Sequence, residues 1–136
     1  VTTVHGFFFD ESDRLLMVRH KRRGWEIPGG HIEASETSRE AMHRELFEEA
    51  QVKSEKLHCL GHLKKIATGE KPDLCSYPFP LSYCLFYAGR ITEIEKFVGD
   101  NSIVDYQFVE TAKARAYSWI QAYEDYLNAS LALVAL

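Results

Sequence analysis

Three glutamates, Glu45, Glu48 and Glu49, follow one another closely in a stretch with the pattern of a helix. With Glu45 set at zero, Glu49 falls at about +40° and Glu48 at about −60° around the helix, so the three carboxylates share one side. Like charges this close destabilise a helix, and a divalent cation reverses that effect. Clustered carboxylate oxygens are ligands that Mg²⁺ or Mn²⁺ prefers. The spacing therefore favours a divalent metal site over the plainer reading, a solvated charged helix face.

An arginine stands beside these acids on the same helix. Arg44 precedes Glu48 by four residues, about 40° away around the helix. At this spacing a guanidinium pairs with a carboxylate and fixes its orientation. We therefore predict an ion pair between Arg44 and Glu48 that holds one acid in place.

The helix that carries the acids has a recognisable start. Thr37 and Glu40 have the spacing of a capping box, and the helical pattern continues to about Ala50. Its apolar residues occupy the neighbouring sector, so one side of the helix can be buried while the acids face a cleft. The glycines of Pro28-Gly29-Gly30, just upstream, permit a close approach of the backbone to another group.

Runs of apolar and β-branched residues predict the elements around this helix. The predicted strands are Val4 to Phe9, Leu15 to Arg19, Leu57 to Ile66, Leu81 to Ile91 and Ile103 to Val109, with a short extended segment at Trp25 to Ile27. The first two strands, joined by a polar turn, are expected to form a hairpin. Apolar residues from Trp119 to Val134 predict an amphipathic helix packed on the sheet. This order of elements indicates a layered α+β or α/β domain with a mixed sheet.

The segment from Gly30 to Val52 resembles the box of the Nudix hydrolases, G-x5-E-x7-R-E-U-x-E-E-x-G-U, in which U is a bulky aliphatic residue. Eight of its nine fixed positions are filled, by Gly30, Glu36, Arg44, Glu45, Leu46, Glu48, Glu49 and Val52. The preceding residues, Trp25 to Gly30, are similar to the W-x-x-P-G-G lead-in of that family. Gln51 stands where the family has glycine. A left-handed helix cap at a non-glycine residue costs roughly 1 kcal/mol, unless the helix end is rebuilt.

The resemblance implies a fold and an activity. The expected fold is a Nudix-type α/β/α sandwich around a mixed β-sheet, as a single domain over residues 1–136. The expected activity is metal-dependent hydrolysis of a nucleoside diphosphate linked to another moiety, with nucleoside triphosphates of the mutator-type, nucleotide-pool-cleaning branch as one option. The alternative is a non-catalytic Nudix domain that binds a nucleotide or a protein partner as a sensor. The intact set of acids favours the enzyme.

Residue roles follow from the same resemblance. It implies that Glu45, Glu48 and Glu49, with the carbonyl of Gly29, bind Mg²⁺ or Mn²⁺. The resemblance also implies that Glu45 assists in activating water and that Arg44 positions a carboxylate, so these two are the predicted catalytic residues.

Two assignments stay open at this stage. The role of Glu36 is either to bind the metal or to brace its loop. The family often adds a carboxylate from a distant loop; Glu93, Glu95 and Glu110 are available, and the spacing selects none of them.

Substrate contacts are predicted on both sides of the box. Arg22 and Arg23 could bind phosphate oxygens with their planar guanidinium groups, or form a solvated basic turn. The irregular stretch from Pro72 to Pro80 is the candidate substrate loop, in which Tyr77 could stack on a base or be exposed filler.

Composition narrows the class of protein and partner. A chain of 136 residues suits one hydrophobic core, and its net charge of −4 disfavours a nucleic-acid duplex as a partner. Cys59, Cys75 and Cys84 form no C-x-x-C pair, which predicts reduced thiols in a cytoplasmic protein. No signal peptide is recognisable, the start at Val1 suggests a trimmed terminus, and the aliphatic end is too short to span a membrane. The expected partner is a small molecule, and the expected state is a monomer or homodimer.

Overall fold

The computed structural model of the protein describes residues 2–66 and 81–135. Its elements in chain order are β1 (Thr3–Phe9), β2 (Arg14–His20), β3 (Gly24–Glu26), β4 (Gly29–His31), α1 (Ser38–Ala50), β5 (Val52–Lys53), β6 (Leu57–Ile66), β7 (Leu81–Arg90), β8 (Glu93–Ile94), β9 (Ile103–Glu110), α2 (Thr111–Ala114), α3 (Ser118–Ala122) and α4 (Glu124–Val134). None of the helices in these ranges has the length and apolar character that a membrane crossing requires.

A mixed sheet organises the molecule around β1. In the described ranges, seven strands form this sheet, with the order β3-β2-β1-β7-β6, and with β4 also paired to β1 and β9 to β2. Strand β1 runs parallel to β7, with Thr3 opposite Cys84 and Phe9 opposite Arg90, and antiparallel to β2 and β4. Strands β5 and β8 form a small separate pair. The predicted mixed sheet is confirmed.

Helices cover both faces of the sheet, as the side chains of β1 show. Phe7, Phe8 and Phe9 are all fully buried, and neighbouring residues of a strand point to opposite faces. Phe8 packs in the apolar cluster that includes Met42 and Leu46 of α1, whereas Phe7 and Phe9 pack in the cluster with α3 and α4. The α/β/α sandwich is therefore the observed architecture.

Helix α1 begins and ends at the predicted residues. The backbone N–H of Glu40 donates to the Thr37 hydroxyl at 3.1 Å, and the Thr37 N–H donates to the Glu40 carboxylate at 3.0 Å, which completes the capping box. At the other end, Gln51 adopts the left-handed conformation, with φ 54° and ψ 40°. The helix end is therefore not rebuilt to avoid the missing glycine. Gln51 instead adopts the strained left-handed conformation itself.

The predicted hairpin is present in a shortened form, and the predicted C-terminal helix needs correction. The first two strands do meet as a hairpin, but β1 and β2 pair only next to the turn, where Phe9 lies opposite Leu15. Strand β2 pairs with β9 along its whole length, from Arg14 to His20, and with β3 from Val18 to His20. The prediction of a single C-terminal helix is wrong, because Tyr123, at φ −127° and ψ 31°, separates α3 from α4. The apolar pattern continues across this break because both helices pack on the same sheet face.

Candidate active site

The guanidinium of Arg44 is the centre of the polar network on α1. Its Nε and Nη2 donate to the two carboxylate oxygens of Glu36, at 2.7 and 3.0 Å. Its Nη1 donates to Glu45 at 2.9 Å and to Glu48 at 3.2 Å, and Nη2 also donates to the carbonyl of His31 at 3.0 Å. The predicted contact between Arg44 and Glu48 is present, and the guanidinium also donates hydrogen bonds to two further acids, Glu36 and Glu45.

The two parallel hydrogen bonds from the Arg44 guanidinium to the Glu36 carboxylate, here called the fork, fix the loop that leads into α1. Hydrogen bonds from Arg44 are the main cause that lowers the pKa of Glu36 to about 2, and the backbone N–H of Glu33 adds to the effect. Arg44 in turn has its pKa raised further above its ordinary value, mainly by the bond to Glu36. Glu36 therefore has the contacts of a brace between loop and helix.

Close backbone approach at the two glycines brings the loop against the acids. A Cβ atom on Gly30 would lie 2.6 Å from the Glu45 carboxylate oxygen, so any side chain there would displace that carboxylate from its place. A Cβ on Gly29 would lie 2.3 Å from the carbonyl of Val4 on β1. The N–H of Gly29 donates to the Glu49 carboxylate at 2.7 Å. The glycines thus pack strand β4 directly between β1 and the acidic side of α1.

Two of the acids are withdrawn from solvent. Glu49 is only 6% exposed, and burial is the main cause that raises its pKa to about 9, with the charges of Glu45 and Asp100 adding to the rise. Burial also raises the pKa of Glu45, against the lowering influence of Arg44. A buried carboxylate favours either a bound proton or a cation beside it. These two side chains are therefore the strongest candidates for a cation site.

A cleft of about 970 Å³ opens over these acids. One end contains Glu45, Glu49 and Asp100, next to the glycines of β4. The other end is aromatic, and its rings belong to Trp25, Phe86, Trp119 and Tyr123. The ring centroids of Trp119 and Tyr123 lie 4.4 Å apart, which gives this wall a rigid packed surface. Charged and apolar surfaces therefore meet in a single cavity.

Between the two ends, His5 and Cys84 form a hydrogen-bonding pair. The Nδ1 atom of His5 lies 3.3 Å from the sulfur of Cys84, and both residues line the cleft. The His5 ring is 6.0 Å from that of Trp119. The pair adds polar atoms to the border of the aromatic wall.

Some of the other predicted site residues line the cleft and others do not. Glu48 is half exposed and contacts Arg44, but it is not among the described residues that line the cleft. Arg23 lines the cleft, and its guanidinium donates to both carboxylate oxygens of the buried Glu26, at 3.1 and 2.9 Å. Arg22 is exposed and is not part of that lining. Tyr77 and the whole segment from Pro72 to Pro80 lie outside the described residues.

Asp100 is an acid of the cleft that the sequence did not predict. Glu93 and Glu95 contact Lys53 instead, at 3.7 and 3.5 Å, and Glu110 is exposed at the end of β9. None of these three lines the described part of the cleft, whereas Asp100 does. The available signal was the turn composition of residues 99–102 directly before a predicted strand. The pairing of β9 with β2 places the start of β9, and with it this turn, near the acids of α1.

The donor chemistry fits a divalent cation, although the described residues form no complete cage of ligands. Within residues 2–66 and 81–135, no three His, Cys, Asp or Glu side chains already surround one metal-sized position. Mg²⁺ commonly takes only one or two carboxylates and completes its shell with waters and substrate phosphates. Glu49, which is buried, and Glu45, which is partly buried, line the same cleft and have the charge and oxygen donors for that arrangement.

The family model of the NUDIX domain matches residues 1–128. The chain belongs to the NUDIX family. The resemblance carried by the box is thereby confirmed, and as a NUDIX hydrolase the protein acts on phosphoanhydride bonds.

Solved structures share the fold of this NUDIX chain at low sequence identity. The NUDIX hydrolase from Nitrosomonas europaea is 21% identical, with a TM-score of 0.72, over 94% of this chain and 88% of that one. The Bacillus subtilis pyrophosphohydrolase BsRppH is 21% identical, with a TM-score of 0.68, over 95% and 82% of the two chains. The NUDIX domain of Shewanella oneidensis NrtR, complexed with ADP ribose, is 18% identical, with a TM-score of 0.67, over 90% and 86%. A search of curated proteins gave no match.

Proposed function

We propose that this protein is a metal-dependent pyrophosphohydrolase that cleaves a nucleoside diphosphate linked to another moiety. The observation that carries the proposal is the cleft itself, which joins the buried carboxylate of Glu49 and the partly buried carboxylate of Glu45 to a wall of aromatic rings. A substrate with a charged pyrophosphate and a flat base matches this cleft, because the pyrophosphate suits a cation held by the carboxylates and the base suits the aromatic wall. Nucleoside triphosphates are one substrate option within this class. A cytoplasmic location and a monomeric or homodimeric state are part of the proposal.

The acidic end of the cleft would hold the cofactor, Mg²⁺ or Mn²⁺. Glu45 and Glu49 would be its main protein ligands, joined by Glu48 and by the carbonyl of Gly29, as the family resemblance implies. The chemistry that such a cation supplies is neutralisation of phosphate oxygens and a lower pKa for a bound water. The penalty for burying ionised Glu49 supports this assignment, because a cation there offsets it.

Arg44 and Glu45 would be the catalytic pair. Arg44 holds the Glu45 carboxylate at 2.9 Å and is itself fixed by the fork to Glu36. In this position Glu45 accepts the proton of the water that attacks phosphorus, and Arg44 keeps the carboxylate from rotating away. Arg23, held by Glu26 at the cleft wall, is the better placed of the two predicted phosphate-binding arginines.

The aromatic end would bind the base. Trp119 and Tyr123 present packed ring surface to the cleft, and stacking is tolerant of base identity. Among the structural neighbours, BsRppH is a pyrophosphohydrolase and the NUDIX domain of NrtR is complexed with ADP ribose, which supports a nucleotide-type substrate here.

A substrate panel tests the proposal. The purified protein is incubated with nucleoside triphosphates, dinucleoside polyphosphates, ADP-ribose and base-free tripolyphosphate, with Mg²⁺ or with EDTA, and phosphate and pyrophosphate release is measured. The expected result is hydrolysis that requires the metal and prefers substrates with a base. Tight nucleotide binding without turnover on any substrate would instead favour the sensor alternative.

A further inference from the structure

The side chain of Gln51 bridges the last turn of α1 and the segment between β8 and β9. It is 7% exposed, and both ends of its carboxamide are used. The Oε1 atom accepts from the N–H groups of Val98, at 2.7 Å, and Gly99, at 3.0 Å. The Nε2 atom donates to the carbonyls of Phe47, Glu48 and Gly99, at 3.1, 3.0 and 3.3 Å. One buried amide therefore holds two separate parts of the chain together.

This position combines a strained backbone with a fully used side chain. The positive φ of 54° at Gln51 is a conformation that glycine adopts without strain. Glycine has no side chain, however, and could not span from α1 to Gly99. A carboxylate could not donate to the carbonyls, and an asparagine is one methylene shorter. Both the amide chemistry and the length of glutamine match the gap.

The bridged segments carry acids of the cleft. Glu49 lies two residues before Gln51 on α1, and Asp100 directly follows the bridged Gly99. The Asp100 carboxylate accepts from the N–H groups of Ser102, at 2.8 Å, and Ile103, at 2.7 Å, which closes the turn before β9. A shift of Gly99 relative to α1 would therefore move Asp100 with it.

We propose that Gln51 is a positioning residue that sets the place of Asp100 relative to Glu45 and Glu49. The inference rests on the proposed function, since it assigns these acids to one reaction site. It gives the residue that replaces the glycine of the box a task in this protein, namely to tie the Asp100 turn to the helix that carries the other acids.

Amide hydrogen exchange of the metal-free protein tests the bridge itself. The Gln51→Gly variant should fold, because glycine relieves the backbone strain at this position. The rate of amide hydrogen exchange at Ser102 and Ile103 should rise about tenfold, which corresponds to the free energy of one net hydrogen bond. Gln51→Asn, which is too short, should behave alike. Ser54→Ala is the matched control, because it removes another buried bond near α1, from the Ser54 hydroxyl to the carbonyl of Arg90 at 2.8 Å. Wild-type exchange in Gln51→Gly, or equal acceleration in the control, would overturn the proposal.

A double-mutant cycle on turnover tests the positioning role. With Mg²⁺ and the best substrate of the panel, Gln51→Gly should lower kcat at least about tenfold, but less than about twofold when Asp100 is already replaced by Asn. Asp100→Asn keeps an oxygen that accepts the Ser102 amide while removing the charge. Independent, additive losses in the cycle would overturn the role of Gln51. If the wild-type protein hydrolyses nothing, the proposed function fails, and the exchange experiment still decides whether the bridge exists.

Discussion

Glu49 illustrates how burial prepares a single residue for a cation. Its carboxyl has an N–H partner in Gly29, but it shares the cleft with Glu45 and Asp100, and burial raises its pKa to about 9. Without a cation the folded protein therefore retains a proton at Glu49 that the unfolded chain releases above its ordinary pKa of 4.5. An ionised Glu49 carboxylate with no positive charge beside it is therefore electrostatically unfavourable.

Glu49 should make the stability of the metal-free protein depend on pH. Its contribution is fully present below pH 4.5 and is lost as pH rises toward its folded pKa of about 9. The free energy of unfolding should therefore fall with rising pH, by up to about 1.4 kcal/mol per pH unit from this one proton. Urea unfolding in EDTA between pH 5 and 9 measures the slope. Glu49→Gln should flatten it, whereas Glu110→Gln, an exposed control, should not; equal slopes in all three proteins would refute the assignment.

The fork between Arg44 and Glu36 gives a second residue-scale prediction. Arg44→Lys keeps the positive charge but loses the paired bonds to Glu36 and the bonds to Glu45 and Glu48. Partners that orient metal-binding carboxylates are worth 10- to 100-fold in activity, so kcat should fall by about that factor. Arg39→Lys is the control on the same helix, where the guanidinium contacts the carbonyl of Leu57. Turnover within twofold of wild type in Arg44→Lys would contradict the role.

At the scale of elements, local patterns were predictable and long-range placement was not. The capping box fixed the start of α1, and the strand patterns located β6, β7 and β9, because these signals depend on neighbouring residues. The break at Tyr123 was missed since the same apolar spacing serves one helix or two helices on one face. Asp100 was missed because its relevance depends on the pairing of β9 with β2, which no local pattern specifies.

The capping box makes a prediction about α1 as a unit. Thr37→Ala removes the hydroxyl that accepts from Glu40, and a lost N-cap lowers stability by about 1 kcal/mol. Because α1 carries the acids, the variant tests how far the helix start supports the site. Urea unfolding should register the loss, whereas Thr111→Ala, at the start of α2 where no side-chain cap bond is present, should change little. An equal loss in both variants would argue against the capping box as a stabilising feature.

At the scale of the whole molecule, the sheet brings both ends of the cleft together. Helix α1 on one face supplies Glu45 and Glu49, and helix α3 from the other face supplies Trp119. The parallel pairing of β1 with β7 joins residues about 80 positions apart. The alternation of polar and apolar residues could not specify this pairing; only the family resemblance implied the sandwich.

The aromatic wall should affect substrates that carry a base more than those that do not. Trp119→Ala removes a ring of the cleft, and one base stacked on an aromatic ring is worth about 1–3 kcal/mol. The KM for a nucleoside triphosphate should therefore rise about 5- to 100-fold, while the KM for tripolyphosphate stays near the wild-type value. A parallel rise for both substrates would indicate general disruption of the cleft and no base site.

The most direct test of the account is the activity of Glu49→Gln with Mg²⁺. This substitution keeps the shape of the side chain, can still accept the N–H of Gly29, and removes one charge from the proposed cation site. We predict that kcat falls by at least about 100-fold while the circular dichroism spectrum and cooperative unfolding stay those of a folded protein. Unchanged turnover in the folded variant would contradict the assignment of Glu49 to the cation and, with it, the proposed organisation of the site.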